Sequence, residues 1–182
     1  MLHRLPLKKK DYLLLYNLLI DSLVIGEIGK PHGLNGYAYV HLNDYLKNYN
    51  FLETLVSIQN KERMIEDLKP HLNNRHLIKL REIDSIEEIE KFRNTSIYIK
   101  KEIIISLCKE LPWPEIYCNK FIKSDEFNDI KLNSYFVTNA GTVLELSHDS
   151  NKYFVPYNDD NFVDDEGTLF LINDLSFYNP VE

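Results

Sequence analysis

Lys30 and His32 lie within the segment Gly26-Glu27-Ile28-Gly29-Lys30-Pro31-His32-Gly33-Leu34-Asn35-Gly36, which carries four glycines in eleven residues. An ammonium can pair with a phosphate or carboxylate, and an imidazole can accept or donate a proton near neutral pH. Glycine tolerates positive φ and close backbone approach, and Pro31 holds φ near −65°. The segment is therefore expected to form a defined, exposed turn carrying Lys30 and His32. From the residues alone, a structural hairpin turn is the plainer account. A nucleotide phosphate loop is excluded. That pattern needs four residues before its Gly-Lys pair and then Ser or Thr, whereas two residues separate Gly26 from Gly29-Lys30 and Pro31 follows. The dinucleotide fingerprint is excluded as well, because this turn joins two strands and does not open a helix.

Other reactive residues are dispersed. The histidines are His3, His32, His41, His71, His76 and His148, with no His-Glu-x-x-His and no Gly-x-Ser-x-Gly. Cys108 and Cys118 form no Cys-x-x-Cys pair and no zinc-type cluster, so two reduced thiols are expected. The run Asp159-Asp160 with Asp164-Asp165-Glu166 lacks the alternation and glycine of a calcium loop and reads as a solvated loop. No metal site, cofactor site or nucleophile–base pair is indicated. Trp113 could anchor a partner, although packing between domains is the commoner fate of such a ring.

The elements that must position these residues read as β. Short β-branched and aromatic runs at 23–25, 37–42, 55–59, 63–66, 76–80 and 97–99 are separated by Gly, Asn, Pro and Asp. One helix interrupts them over 84–93. Ser85 is its expected N-cap and Glu88 completes a capping box, with Ile86, Ile89 and Phe92 on its apolar side. Six strands and one helix suggest a closed antiparallel barrel. Leu111-Pro112-Trp113-Pro114 reads as a linker, since prolines on both sides of Trp113 break regular structure. A second β series follows at 130–132, 135–138, 142–146, 153–155 and 168–172, with turns at 139–141, 149–151 and 165–167. The expected fold class is all-β with a minor helix: two small antiparallel β-barrels in tandem.

The chain has 182 residues, 44% hydrophobic and 27% charged, with twelve Tyr and nine Phe. It can bury a core, and its aromatic content favours sheets. Its formal net charge of −7 argues against a broad phosphate-binding face. A basic protein partner, with any RNA contact confined to a local patch, fits better. The apolar run at 12–20 is too short to span a bilayer and is followed by Asp21 and Ser22 without a small-x-small cleavage site. Residues 1–22 read as an N-terminal extension of uncertain status, a short amphipathic segment or the product of an upstream start codon, with a signal peptide as the minor alternative, and the chain is expected to be cytoplasmic.

The stretch Leu23 to Gly36, LVIGEIGKPHGLNG, resembles the opening of the RimM family of ribosome maturation factors, with its Gly-x-x-Gly-x-x-His-Gly-Leu-x-Gly signature. The segments 76–81, 84–99, 136–146 and 153–157 resemble later parts of that family. The resemblance implies a translation-factor-like N-terminal barrel over 23–105, a linker at 106–116 and a PRC-type barrel over 117–178. It implies binding to the immature 30S subunit at the head, near the 3′ domain of 16S rRNA, through a head ribosomal protein of the S-nineteen type. It brings neither catalysis nor a cofactor. The rRNA-facing residues it suggests are Gly26, Gly29, Lys30, Pro31, His32, Gly33, Leu34 and Gly36. The protein-facing ones are Tyr117 and Trp113. Two features depart from the family: Cys118 stands where a second aromatic often follows Tyr117, and 177–180 replaces the usual Gly-Leu close. A flavin- or cofactor-binding barrel enzyme and a general RNA-binding barrel are the alternatives; the first predicts a coloured protein, the second tight salt-sensitive binding to naked RNA.

Overall fold

The structure is a computed structural model and describes residues 21–47, 49–72, 75–108 and 111–180. The apolar run at 12–20 and most of the expected extension lie outside the described residues. The chain divides between Ile103 and Ile104 into two compact units.

The first unit is a closed barrel of β1 (Ser22–His32), β2 (Tyr37–Leu42), β3 (Leu55–Ile58), β4 (Lys61–His71), β5 (Arg75–Leu80) and β6 (Thr95–Lys100), in the order β1-β2-β5-β4-β3-β6. Every pairing is antiparallel. Apolar residues contributed by all six strands explain the closure. Ile25, Ile28, Ala38, Val40, Val56, Ile58, Ile65, Ile78, Leu80, Ile97 and Ile99 are all buried in the core. Burying each large aliphatic contributes about 1.5–3 kcal/mol against conformational entropy. β1 spans two neighbours and kinks to do so, with register shifts between Val24 and Gly26 against β6 and between Ile28 and Pro31 against β2.

The expected helix is present as α1 (Ile86–Glu90), shorter than predicted. Its capping box is complete: the Glu88 amide donates to Ser85 Oγ at 3.3 Å, and the Ser85 amide donates to Glu88 Oε2 at 3.2 Å. Ile89 and Phe92 are buried, whereas Ile86 is 38% exposed. A second helix, α2 (Lys101–Leu107), was not foreseen. It takes up the end of the stretch expected to be barrel and the first two residues of the expected linker. Its Ile-rich sequence reads as strand, but a continuation of β6 would have to remain in the ladder, and tertiary context decides otherwise.

The second unit is a six-stranded sheet, ordered β10-β9-β8-β7-β12-β11. Its strands are β7 (Phe121–Ser124), β8 (Ile130–Thr138), β9 (Gly141–His148), β10 (Asn151–Pro156), β11 (Phe162–Asp165) and β12 (Thr168–Leu171). Two expected runs merge into β8, while β7 and β11 were missed. β12 and β7 run parallel, so the sheet is not wholly antiparallel as expected. The turns fall where expected. Asp149 and Ser150 both have positive φ between β9 and β10, as do Glu166 and Gly167 between β11 and β12, which suits tight hairpins. Asp164 and Asp165, read as loop, belong to β11.

Cys118 and Cys108 form no disulfide. Burial, reinforced by the nearby Glu115 carboxylate, pushes the Cys118 thiol up to about 11. Thiolate is the reactive form, so Cys118 in the folded protein should react with a disulfide reagent at pH 8 about 20-fold more slowly than in the urea-unfolded chain. Equal rates would show that the thiol is not held this way.

The glycines of the first hairpin differ in what they permit. Gly33 (φ +69°) has open space where a Cβ would go. At Gly36 (φ +71°) a Cβ would lie 1.9 Å from the Ile83 carbonyl oxygen. Gly33→Ala should cost about 1–2 kcal/mol from the left-handed backbone alone, and Gly36→Ala at least about 3 kcal/mol. Urea denaturation of both variants checks this, and equal losses would contradict the close approach.

Candidate functional site

The site grows from the end of the β1–β2 hairpin. Beyond Ile28, which pairs with Thr95, the recorded ladder of β1 runs along β2 alone, through Pro31↔Ala38 and His32↔Tyr37. A proline at this bulge removes no ladder hydrogen bond on the other side. The turn consists of the four residues Gly33–Gly36, with Leu34 77% exposed at its apex. Lys30, Pro31 and His32 therefore stand on β1 itself, not in the turn as expected. Gly26 and Gly29 are strand positions too. A Cβ at Gly26 would sit 2.5 Å from the His41 carbonyl oxygen, and Gly29 is buried with His41 Nε2 at 3.2 Å from that position. Their part is to let β1 and β2 approach each other.

Alternation places Ala38 and Val40 inside the barrel and Tyr37 and Tyr39 on its outer face. His32 meets them there. Its Nδ1 lies 3.1 Å from Tyr39 Oη, and its ring stands edge-on to Tyr39 (centroids 5.2 Å apart) and to His71 (4.8 Å). Two cations cover the tyrosines: Lys69 Nζ is 4.2 Å from the Tyr37 ring centre, and Arg75 Cζ is 4.9 Å from that of Tyr39. Tyr37 Oη donates to Asp67 at 2.8 Å, and Lys69 pairs with the same carboxylate at 3.0 Å. Burial opposes the charge on Asp67, but hydrogen bonds from Lys69 and Tyr37 together with the Lys69 charge outweigh it, so this carboxyl lies below its ordinary value.

His32 was singled out in the sequence; Tyr37, Tyr39, Lys69, His71 and Arg75 were not. The Tyr-x-Tyr alternation of β2 was the one local signal. The partners on β4 and β5 follow only from register: Tyr39 lies opposite Leu77, Leu77 opposite Lys69, and Arg75 opposite His71.

Trp113 and Tyr117 are 2% and 1% exposed, so neither ring presents a surface. Trp113 Nε1 donates to Tyr135 Oη at 2.7 Å, and Tyr117 Oη donates to Asp164. They hold the second unit together from within. Burial explains the difference from the expected partner contacts: a large ring beside a short sheet is worth more in its core than on its surface.

Among the described residues, no group of three or more His, Cys, Asp or Glu side chains is arranged to hold a metal ion, and no helix is long and apolar enough to cross a membrane. An apolar cavity of about 70 Å³ lies among Ser22, Leu55, Val56, Tyr98 and Ile103.

Residues 23–103 match the RimM N-terminal domain family. A ribosome maturation factor RimM from Clostridium botulinum is 39% identical over 90 residues, 49% of this chain and 54% of that protein. The chain spans about half the length of the Clostridium relatives it matches. A ribosome maturation factor RimM from Thermotoga maritima is 27% identical over 167 residues, 86% of this chain and 93% of the relative. The crystal structure of a RimM protein from Pseudomonas aeruginosa aligns with 86% of this chain and all of its own at 18% identity, with a TM-score of 0.39. The first unit, with its glycine-rich opening at the start of a closed barrel, is thus similar to the RimM N-terminal domain, and the likeness to the Thermotoga relative continues into the second unit.

Proposed function

We propose that this protein is a cytoplasmic, non-catalytic ribosome maturation factor that binds the immature 30S subunit at the head and assists 16S rRNA processing. The observation that carries the reading is the match of residues 23–103 to the RimM N-terminal domain, together with relatives named as ribosome maturation factors. The two contact regions are taken as the barrel over 23–105 and the sheet domain over 117–178, joined by 106–116. In the first, Lys30, His32 and the exposed Leu34 approach rRNA, while Gly26, Gly29, Pro31, Gly33 and Gly36 shape the hairpin that carries them. In the second, exposed Asp159, Asp160, Asp165 and Glu166 suit a basic head protein of the S-nineteen type. Trp113 and Tyr117 contribute from beneath, by holding that surface in shape.

A factor of this kind needs no reaction. If it binds the assembly-competent conformation of the subunit more tightly than misfolded ones, it shifts the population by that difference in affinity. An acidic chain gains little from phosphate attraction at long range, which suits a factor that must find one site and not coat RNA at large.

The test is sedimentation of the tagged chain with lysate at moderate salt. It should travel with free small subunits and not with assembled ribosomes. The double variant Lys30→Ala, His32→Ala should retain the wild-type melting curve and weaken subunit association roughly tenfold, about 1.4 kcal/mol. Wild-type protein that stays at the top of the gradient at every salt would overturn the reading; undiminished association of the double variant would remove the hairpin from it.

A further inference from the structure

The outer face of β1, β2, β5 and β4 carries more than the hairpin needs. Tyr39, His32 and His71 form a continuous set of rings, with Tyr39 and His71 centroids 5.7 Å apart, and Tyr37 stands two residues before Tyr39 on the same strand. Exposed Lys69 and Arg75 lie over the two tyrosines, and exposed Lys30 precedes His32 by two residues on the same strand. Exposed Leu72, at 74%, and Leu34, at 77%, lie at the ends of the β4 and β1–β2 hairpin segments. Apolar and planar groups are thus gathered with cations on one sheet face, in a chain whose net charge is −7.

We propose that this face is a stacking platform for unpaired nucleotides of RNA. Resting on the ribosome-maturation reading above, the proposal names the form of RNA that the first unit takes. The guanidinium of Arg75, already parallel in function to a ring cap on Tyr39, offers a plane on which a splayed base can stack, and Tyr37, Tyr39 and His71 extend that surface. Lys30, Lys69 and Arg75 pair with phosphates along the strand, with Asp67 keeping Lys69 in place. An A-form duplex hides its base faces and would use the cations alone. An acidic peptide would use the cations too, and would give the rings no role. With only three cations facing the ligand, attraction to phosphate is limited, so stacking carries much of the affinity.

The experiment measures binding of the full chain to labelled mixed-sequence RNA decanucleotides, and to an A-form duplex of the same length, by fluorescence anisotropy. Single strands should bind at least tenfold more tightly than duplex, with a salt slope of about −2 in log K against log salt for three phosphate contacts. Arg75→Ala and Tyr39→Leu should each weaken single-strand binding by about 5- to 100-fold, as loss of a stacking partner does. Lys123→Ala removes a similar cation–ring contact, 5.0 Å from Phe170 in the second unit, and should change nothing. Arg75 is exposed, so its variant reports on binding even if Tyr39→Leu loses stability.

Equal binding of single strand and duplex, or undiminished binding by Arg75→Ala, overturns the platform. So does an Arg75→Ala variant that loses subunit association while the wild type binds no RNA, because the face then meets a protein. Sedimentation separates this proposal from the one it rests on. A wild type that travels with small subunits alongside a platform variant that travels equally well refutes the platform only. A wild type that never meets the subunit, yet binds single strands through Arg75 and Tyr39, refutes the maturation role only.

Discussion

Lys79 ties the first unit together at the place where function is expected. Its side chain is 7% exposed, and its ammonium donates to the Ile83 carbonyl and to the Asp84 carboxylate, each at 2.6 Å. A charge so enclosed is tolerated only when it is hydrogen-bonded. Satisfying it pulls the 83–84 segment onto the barrel. That segment then presses its Ile83 carbonyl against Gly36, where no side chain fits, and delivers Ser85 to cap α1. The hairpin turn, the loop and the helix start are thus held as one piece. In the strand register Lys79 also lies opposite Tyr37 on β2 and Asp67 on β4.

This arrangement shows why the glycines of the opening motif are not interchangeable. Gly26 and Gly29 admit the neighbouring strand, Gly36 admits the loop before α1, and Gly33 supplies only its backbone conformation. Three of the four answer to contacts distant in sequence. The motif therefore reads as an exposed turn when it is seen in isolation and as a packing device when folded. Its functional side chains, Lys30 and His32, gain their fixed directions from a strand and not from a loop, which lowers the entropy that binding must overcome.

The second unit follows another logic. Its polar rings point inward and are satisfied there: Trp113 by Tyr135, Tyr157 by the Pro112 carbonyl at 2.7 Å, and Tyr117 by Asp164. These large amphipathic rings pack beside the buried aliphatic residues of the sheet. The surface is left to acidic side chains and to a few exposed phenylalanines, such as Phe136 and Phe154, which meet edge-on across β9 with centroids 5.6 Å apart.

Local pattern determined a great deal about this protein. Short β-branched and aromatic runs between turn residues placed the six barrel strands, Ser85 and Glu88 announced their helix start, and Asp149-Ser150 and Glu166-Gly167 marked their hairpins, because these features depend on neighbours a few residues away. Tertiary structure alone decided that Lys101–Leu107 coils into a helix, that β12 runs parallel to β7, that Trp113 and Tyr117 turn inward, and that His32 joins Tyr39 and His71, with Arg75 over Tyr39. Each of these depends on strands brought into register across long stretches of chain. That register is set by closing the barrel and burying its core as a whole, a collective free energy that no short window of sequence contains.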